Sequence, residues 1–344
     1  MKRFPAEWET QSFVQIAWPH IETDWLPYLE DANTCYRNLT REIAKREKLV
    51  IVTPDPAGVL DQLDLIDDLN RGNVSIVDIE TNDTWARDHA FITTIEDGVR
   101  VANDFGFNGW GLKYAADLDN QINARIIDRL EGKFAYRDLR RIILEGGSVE
   151  SDGCGTILTT SSCLLAPNRN YYTKEEAEEM LKQTLHAERV LWLDHGYLAG
   201  DDTDGHIDTL ARLCPADTIV YVQCTDRNDE HFAELSAMET ELKAMRTADG
   251  KPFRLLPLPM TDAIYDDDDD DFRLPATYAN FLIMNGAVLM PTYGQPENDS
   301  KAMAVLAEAF PGREIVGVDC QVLIRQHGSL HCITMQYPNY NDRR

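Results

Sequence analysis

The chain has 344 residues, of which 43% are hydrophobic and 27% are charged, a composition typical of a globular protein with a large core. Its formal net charge of −26 argues against nucleic acid and anionic membrane surfaces as partners, because both bind basic proteins. No run approaches transmembrane length, and no apolar segment near the amino terminus indicates a signal peptide.

The seven cysteines are odd in number and lack the spacing of zinc ligands or of a Cys-x-x-Cys motif. Disulfides persist mainly in oxidising compartments. The sequence therefore predicts free cysteines and a cytoplasmic location.

The predicted elements recur along the chain in the order strand, strand, helix, strand. Apolar runs bounded by turn residues predict the strands, and apolar residues at helical spacing predict the helices. Thr173 with Glu176 forms a capping-box pattern at the start of one helix. Strands are predicted at residues 12–18, 49–53, 74–79, 90–95, 99–103, 141–144, 148–151, 156–165, 190–193, 207–213, 218–223, 253–256, 281–284, 287–290, 314–318 and 331–336, and helices at 33–48, 61–70, 120–130, 173–185, 230–245 and 300–310.

The first strands of four successive units begin near Ala90, Ser148, Ile207 and Phe281. A fifth unit forms if the last predicted strand, 331–336, pairs with the first long strand near the amino terminus. Five like units closed by both chain ends indicate a ring, so we expect one α/β domain over residues 1–344 rather than two domains.

Two Gly-containing turns and one acidic run give further local predictions. Asp97-Gly98 and Asn285-Gly286 each predict a tight hairpin, the second of type I′. Asp266–Asp271 is an unbroken acidic run inside an expected surface insertion at residues 262–275, and it is more simply a solvated loop than a cation site.

Polar residues precede the first strand of several units. These residues are Asp88, Glu145, the pair His206 and Asp208, and Cys332. If the units surround an axis, these positions converge at one end of it and line a central pocket. In a strand, His206 and Asp208 would also share one face.

The chemistry of this set indicates a cationic substrate. Cys332 and His206 make a nucleophile with a proton-transfer partner, but the carboxylates are acceptors and cannot form the oxyanion hole of a protease. Acceptors suit a guanidinium, which is planar and rich in N–H donors. The thiolate would attack the central carbon, and His206 would protonate leaving ammonia and then activate water, giving a ureido product.

Taken singly, these residues have simpler interpretations. A lone cysteine in a strand is usually a small buried hydrophobe, and His206 alone could be structural. The segment Gly200–Asp208 could hold calcium, but it lacks the spacing and the closing Glu of an EF-hand. Trp110, like Trp8 and Trp18, is most simply core, whereas Trp85 is core or a pocket wall that would attract a guanidinium.

Four segments, WARDHAFI, LEGGSVESDG, DDTDGHID and HCIT, resemble the signature segments of the agmatine deiminases and Porphyromonas-type peptidyl-arginine deiminases. The resemblance covers nearly the whole chain. It implies the pentein fold, a five-bladed α/β propeller of ββαβ units with pseudo-fivefold symmetry. It also implies no metal and no organic cofactor.

The resemblance assigns roles residue by residue. It implies that Cys332 is the nucleophile and His206 the acid–base, that Asp88 and Asp208 hold the guanidinium, and that Glu145 lies by the histidine. Further substrate contacts are expected at Trp85, Arg87, Gly146, Gly147 and Asp202.

The segments depart from the usual agmatine deiminase pattern in ways that concern the substrate tail. Asp202 stands where a glutamate proposed to face the far amine of agmatine is usual, and Glu150 stands where histidine is frequent. Agmatine, giving N-carbamoylputrescine and ammonia for polyamine synthesis, is the expected substrate. Free or peptidyl arginine is the alternative, and a free arginine carboxylate would require an inward-facing arginine such as Arg87 or Arg212.

Two other classes stay open from the sequence. An amidinotransferase would form the same thiouronium but pass the group to an amine, and a non-catalytic protein on the same scaffold would only bind a cation. We expect a small cationic guanidine substrate, no nucleic acid, no membrane and, as one possibility, a homo-oligomer.

Overall fold

A computed structural model describes residues 2–130, 134–267 and 271–339 of the protein. Within these ranges the chain forms strands that are numbered β1 to β17 in chain order. They span Lys2–Arg3, Gln11–Ala17, Lys48–Thr53, Val74–Asp78, Ile92–Glu96, Val99–Gly106, Ala135–Ile143, Val149–Ser151, Thr156–Thr160, Arg189–Leu193, Ala211–Cys214, Thr218–Gln223, Arg254–Pro259, Leu282–Met284, Ala287–Thr292, Glu314–Asp319 and Met335–Pro338.

Most of the described helices connect strands of the same sheet, whereas the short helix Ala86–His89 lies between two sheets. Helices α1 to α9 span Leu29–Ala44, Pro56–Asp64, Ala86–His89, Gly109–Leu112, Asp119–Ile126, Ser161–Leu164, Lys174–Leu185, Phe232–Ala244 and Pro296–Ala309. Short 3₁₀ turns span Leu26–Tyr28, Arg71–Asn73, Ile127–Arg129, Gly146–Ser148, Ile207–Thr209 and Leu323–Gln326.

The described strands lie in five separate sheets that share one pattern. An antiparallel strand pair leads into a helix, and the strand after the helix pairs in parallel with the second strand of the pair. The units are β5–β6–α5–β7, β8–β9–α7–β10, β11–β12–α8–β13 and β14–β15–α9–β16. In the fifth, β17 pairs antiparallel with β2, and β2, β3 and β4 are parallel, so the two chain ends share one sheet.

Local sequence explains most of these elements. The capping box at α7 is confirmed, because the Thr173 side chain accepts from the Glu176 main chain and Glu176 accepts from the Thr173 main chain. Strands such as β14 and β15 are almost wholly buried, which explains their continuous apolar sequences. The helix predicted at Asp61–Asn70 lies earlier in the chain than expected. It begins at Pro56, with Asp55 as its N-cap, and ends at Asp64.

The two hairpins differ in turn type. Asp97 and Gly98 both have positive φ, 49° and 91°, as a type I′ turn requires. Of Asn285 and Gly286, only Gly286 has a positive φ, at 74°, so the predicted type I′ turn is wrong there although the hairpin is present. The Asn285 side chain instead bonds both the N–H and the C=O of Gln11, at 3.0 Å each.

Two predicted strands begin later than expected. Residues 207–209 form a 3₁₀ turn before β11, and His331 and Cys332 lie in a turn before β17. In each turn a threonine hydroxyl donates to a turn carbonyl, Thr209 to His206 at 2.8 Å and Thr334 to His331 at 3.0 Å. Such side-chain bonds compete with strand pairing, so His206 and Asp208 do not share a strand face.

The acidic insertion folds back on itself where it is described. Tyr265 bridges to Arg273 across it, and Asp267 pairs with Arg325. Residues 268–270 of the acidic run lie outside the described residues. Among the described helices, none has the length and apolarity needed to cross a membrane.

Candidate active site

Two residues that precede the first strands of different sheets line one cavity, whose volume is about 420 Å³ when the space open to solvent is included. Asp88 lies before β5, and Cys332 lies before β17. Both line the cavity, although they are far apart in the sequence. The convergence predicted from the repeat is therefore observed for these two residues, and His206 and Asp208 lie directly behind them.

Asp88, His206 and Asp208 meet around Gly147. A Cβ on Gly147 would lie 2.6 Å from His206 Nδ1 and 3.0 Å from both Asp88 Oδ1 and Asp208 Oδ2. The Gly147 N–H also donates to Asp88 Oδ1 at 3.0 Å. Glycine is thus the residue that lets the three side chains approach one another.

Asp88 is buried and held by two donors. Trp110 Nε1 donates to its Oδ2 at 2.9 Å, and Gly147 bonds its Oδ1. Burial raises the pKa of Asp88 to about 6, and the nearby Asp208 charge adds to the rise, while His206 opposes it.

Cys332 occupies a turn fixed by a neighbouring unit. Its N–H and its Sγ both lie within hydrogen-bond reach of Asn280 Oδ1, at 3.2 and 3.3 Å. Burial raises the pKa of the Cys332 thiol well above its usual value, and the Asp208 and Asp88 charges reinforce this. Cys332 is therefore a thiol at neutral pH, and a cation placed among these carboxylates would favour the thiolate.

Asn280 was not predicted from the sequence as a site residue, although its position in the repeat indicated it. It immediately precedes the β14 unit, at a position like those of Asp88 before β5 and Cys332 before β17. Every sheet unit thus sends a polar side chain to the same end of the structure.

His206 is fully buried between acidic groups. Its Nδ1 lies 3.6 Å from Asp88 Oδ1. A carboxylate oxygen of Glu145, the Cys163 Sγ and one ring nitrogen of His206 lie within 4.8 Å of one another. Burial alone would lower the pKa of His206, but Asp88 and Cys163 raise it well above its ordinary value. Among the described residues, neither ring nitrogen has a hydrogen-bond partner.

Glu145 is tied to a buried arginine. Arg169 Nε donates to Glu145 Oε1 at 2.8 Å, and Arg169 also donates to Asp204 Oδ2 at 2.6 Å. Glu145 thus lies beside the histidine, as expected, with its charge balanced by Arg169.

Glu145, Cys163 and His206 have donor atoms close enough to hold a metal ion, as do Glu7, Glu150 and His331. Arg169 bonds Glu145 of the first set, and Arg212 bonds all three residues of the second. A guanidinium in direct contact competes with a metal cation for the same ligands. That no metal is needed stays a prediction.

Aromatic rings form one wall of the cavity. Trp85, Trp110 and Tyr114 line it, and Trp85 meets Trp110 edge-to-face at 6.4 Å between ring centroids. A Cβ on Gly328 would lie 2.2 Å from the Trp85 ring, so this glycine makes room for the wall. Trp110 belongs to the buried core as expected, and it also lines the cavity. Its backbone is left-handed, with φ 53°, and the glycines on either side of it were the available signal in the sequence.

The cavity mouth is acidic. Asp24, Asp83 and Asp202 line it together with His327. Tyr114 donates to Asp202 Oδ2 at 2.6 Å, and His327 Nε2 lies 3.6 Å from the same oxygen. Burial raises the pKa of Asp83 to about 6. Asp202 thus lies in the cavity as expected, within an acidic rim broader than the sequence predicted.

Arg87 and Gly146 do not reach this cavity. Both line a separate depression on the other side of the Asp88 segment. Arg87 is 2% exposed, and it donates to Glu7 Oε1 at 3.0 Å and to Gln336 Oε1 at 2.6 Å. Its orientation gives no support to the predicted substrate contact.

The family model for the Porphyromonas-type peptidyl-arginine deiminases matches residues 3–338. An agmatine deiminase of Pseudomonas putida is 31% identical over 97% of this chain and 95% of the relative. A provisionally named arginine deiminase structure from Porphyromonas gingivalis is 47% identical with a TM-score of 0.92, covering 98% and 99% of the two chains.

A C. jejuni agmatine deiminase structure with substrate bound is 36% identical with a TM-score of 0.90, covering 99% and 97%. A dimethylarginine dimethylaminohydrolase, at 12% identity and a TM-score of 0.53, shares the fold, so this α/β fold matches that of pentein-type deiminases. The chain belongs to the Porphyromonas-type peptidyl-arginine deiminase family.

Proposed function

We propose that the protein hydrolyses agmatine to N-carbamoylputrescine and ammonia through a thiouronium on Cys332. The observation that carries this proposal is a cavity with a thiol and a carboxylate at its base and carboxylates at its mouth. Among its described lining residues, His327 is the one that can carry positive charge. Such a cavity suits a slender molecule with a cation at each end.

The proposed architecture is a single propeller of five blades over residues 1–344. Five sheets with one shared strand pattern support it, as does the pairing of β17 with β2. Convergence of the unit starts on one cavity is the arrangement that such a ring would produce. The free state of all seven cysteines supports a cytoplasmic location; the oligomeric state stays a prediction.

In the proposed reaction, the guanidinium binds between Asp88 and Asp208, with its face toward the aromatic wall. Its charge lowers the cost of ionising Cys332, whose proton leaves to solvent. The thiolate then forms a bond to the central carbon. Protonated His206 gives its proton to one amino group, and ammonia leaves as the C–N bond breaks.

The second half of the reaction returns the thiol. Neutral His206 takes a proton from water while the oxygen bonds to the thiouronium carbon. The C–S bond then breaks, the hydroxyl proton passes to the departing thiolate, and the ureido product is released. Released ammonia takes up the proton first lost to solvent, so the reaction balances.

The surroundings of Arg87 and Arg212 favour agmatine over free arginine. A substrate carboxylate would need a cation, but both arginines are buried and bonded to protein acceptors, Arg87 to Glu7 and Arg212 to Glu7 and Glu150. The acidic rim would repel a carboxylate and attract an amine. Asp202 is the residue best placed for that amine.

We expect ammonia release from agmatine with kcat/KM at least about 100-fold above that for arginine, N-acetylarginine or an arginyl peptide, since a lost charge pair of ~3 kcal/mol corresponds to that factor.

Cys332→Ser should lower turnover roughly a thousandfold, while Cys154→Ser, which alters an exposed cysteine, should not. A coupled ammonia assay measures both. Retained ureido product in Cys332→Ser would contradict the mechanism, and transfer of the amidino group to an added amine, with release of putrescine and no ammonia, would indicate an amidinotransferase.

Asp202→Asn should raise KM for agmatine about tenfold with a smaller change in kcat, because the amide keeps the shape but not the charge. KM for a guanidine with an uncharged tail should stay nearly constant. Asp194→Asn, at an exposed aspartate, is the matched control. An unchanged KM for agmatine in Asp202→Asn would show that the amine lies elsewhere.

The acid limb of kcat/KM for agmatine should fall near pH 6, because Asp88 is protonated below that pKa and loses its charge toward the guanidinium. Agmatine itself stays dicationic over this range. Initial rates from pH 4.5 to 9, with recovery at pH 8 after acid incubation to check stability, measure it. A limb below pH 5 would exclude Asp88 as the titrating group.

Gly147→Ala should lower kcat at least about 100-fold, because the added methyl would lie 2.6 Å from His206 Nδ1 and must displace the cluster. In Gly72→Ala the added methyl lies 3.4 Å from Asn70 Oδ1, an ordinary contact, and activity should persist. Steady-state kinetics with thermal unfolding separates lost chemistry from lost folding. A fully active Gly147→Ala would mean that the cluster is looser than described.

A further inference from the structure

A buried hydrogen-bonded chain runs from Asp208 away from the cavity. His331 Nδ1 lies 2.7 Å from Asp208 Oδ2, and His331 Nε2 lies 3.0 Å from an Arg212 nitrogen and from Glu7 Oε1. Glu7 also accepts from Arg87 at 3.0 Å and Arg212 at 2.7 Å. Asp208, His331 and Arg212 are at most 1% exposed. None of the proposed chemical steps uses this chain.

Arg212 is fixed from several directions. It donates to the main-chain carbonyls of Ala279 at 3.1 Å and Phe281 at 2.7 Å, and to Glu150. Its guanidinium lies 4.5 Å from the centroid of the Phe281 ring. Because these contacts fix the guanidinium of Arg212, its N–H groups determine which hydrogen bond His331 Nε2 can make.

The ring proton of His331 follows from this contact. Arginine keeps its protons in proteins, so Arg212 donates and Nε2 accepts. The Glu7 oxygens lie as close to Nε2, at 3.0 and 3.1 Å, and the two guanidiniums also hold Glu7 there. Burial, then the Arg212 and Arg87 charges, hold the pKa of His331 below its ordinary value. The neutral ring therefore carries its proton on Nδ1, where it donates to Asp208.

This bond leaves one oxygen of Asp208 free. Among the described residues, Asp208 Oδ1 has no hydrogen-bond partner, while Oδ2 is held by His331. Burial would raise the pKa of Asp208, but His331 and His206 lower it below its usual value. The charged and titratable groups that act on Asp208 are His331, His206, Arg212, Asp88, Cys332 and Glu150.

We propose that His331 is a positioning residue whose Nδ1–H orients Asp208 and keeps it ionised, while Arg212 fixes the histidine tautomer. This inference rests on the proposed function, because Asp208 has this task only when a guanidinium or amidinium binds. His331 itself touches no reacting atom.

A pair of amide substitutions tests the direction of the bond. The amide of His331→Asn occupies the Nδ1 position and can still donate to Asp208, whereas that of His331→Gln reaches the Nε2 position and cannot. We expect kcat for agmatine to fall about 100-fold in His331→Gln and less than about tenfold in His331→Asn. In His331→Gln alone the acid limb of kcat/KM should become steeper below the Asp88 titration, because Asp208 without its donor is then protonated in addition to Asp88.

His231→Asn is the matched control, since His231 is also buried and its Nδ1 lies 2.6 Å from Asp229 Oδ1. It should alter thermal stability without moving the pH profile. Equal damage in the Asn and Gln variants, or an acid limb of unchanged steepness in His331→Gln, would overturn the proposal and leave His331 a structural residue.

A second readout does not need agmatine turnover. Cys332 is alkylated with 2-chloroacetamidine, a cation, and with 2-chloroacetamide, its neutral analogue; in each, sulfur bonds to the methylene carbon and chloride leaves. The ratio of the two rates, followed by mass spectrometry, should fall at least about tenfold in His331→Gln and persist in His331→Asn. An unchanged ratio would overturn the inference, whereas a wild type that prefers the cation but leaves agmatine intact would overturn only the proposed substrate.

Discussion

The burial of several carboxylates in one cavity is the constraint on which the rest of this structure depends. Ionised groups lose hydration there and must find donors, a counter-ion or a proton. Asp88 accepts hydrogen bonds from Trp110 and Gly147. Asp208 accepts one from His331, and Glu145 accepts one from Arg169. Within the part of the chain that the structure describes, Asp208 Oδ1 has no hydrogen-bond partner, and a planar cation with N–H donors could supply one.

The same constraint explains why the nucleophile is not ionised in advance. Asp88 and Asp208 oppose a negative sulfur, and so does burial. A cavity that made Cys332 a thiolate without substrate would need a fixed cation near it, and that cation would repel a guanidinium. The protein therefore keeps the thiol neutral and lets the substrate supply the charge, which links nucleophile formation to binding of the right ligand.

Much of this arrangement could be predicted from the sequence, because a repeated order of strands and helices produces a repeated pattern of apolar and turn residues. The strand–strand–helix–strand order, the two hairpins and the capping box at Thr173 depend on local patterns. The polar residues before Ala90, Ser148 and Ile207 could be placed together because the repeat gives them equivalent positions. Applied to the fourth unit, the same reasoning would have found Asn280.

The remainder depends on contacts that no local pattern encodes. Trp110 reaches Asp88 through a left-handed backbone, and Arg87 turns to Glu7 because the first residues of the chain insert beneath the site. Glu7, near the start, and His331, near the end, meet at Arg212. Strands β17 and β2 also pair. The contacts that join the two ends of the chain therefore also position Asp208, so the geometry of the site depends on closure of the fold.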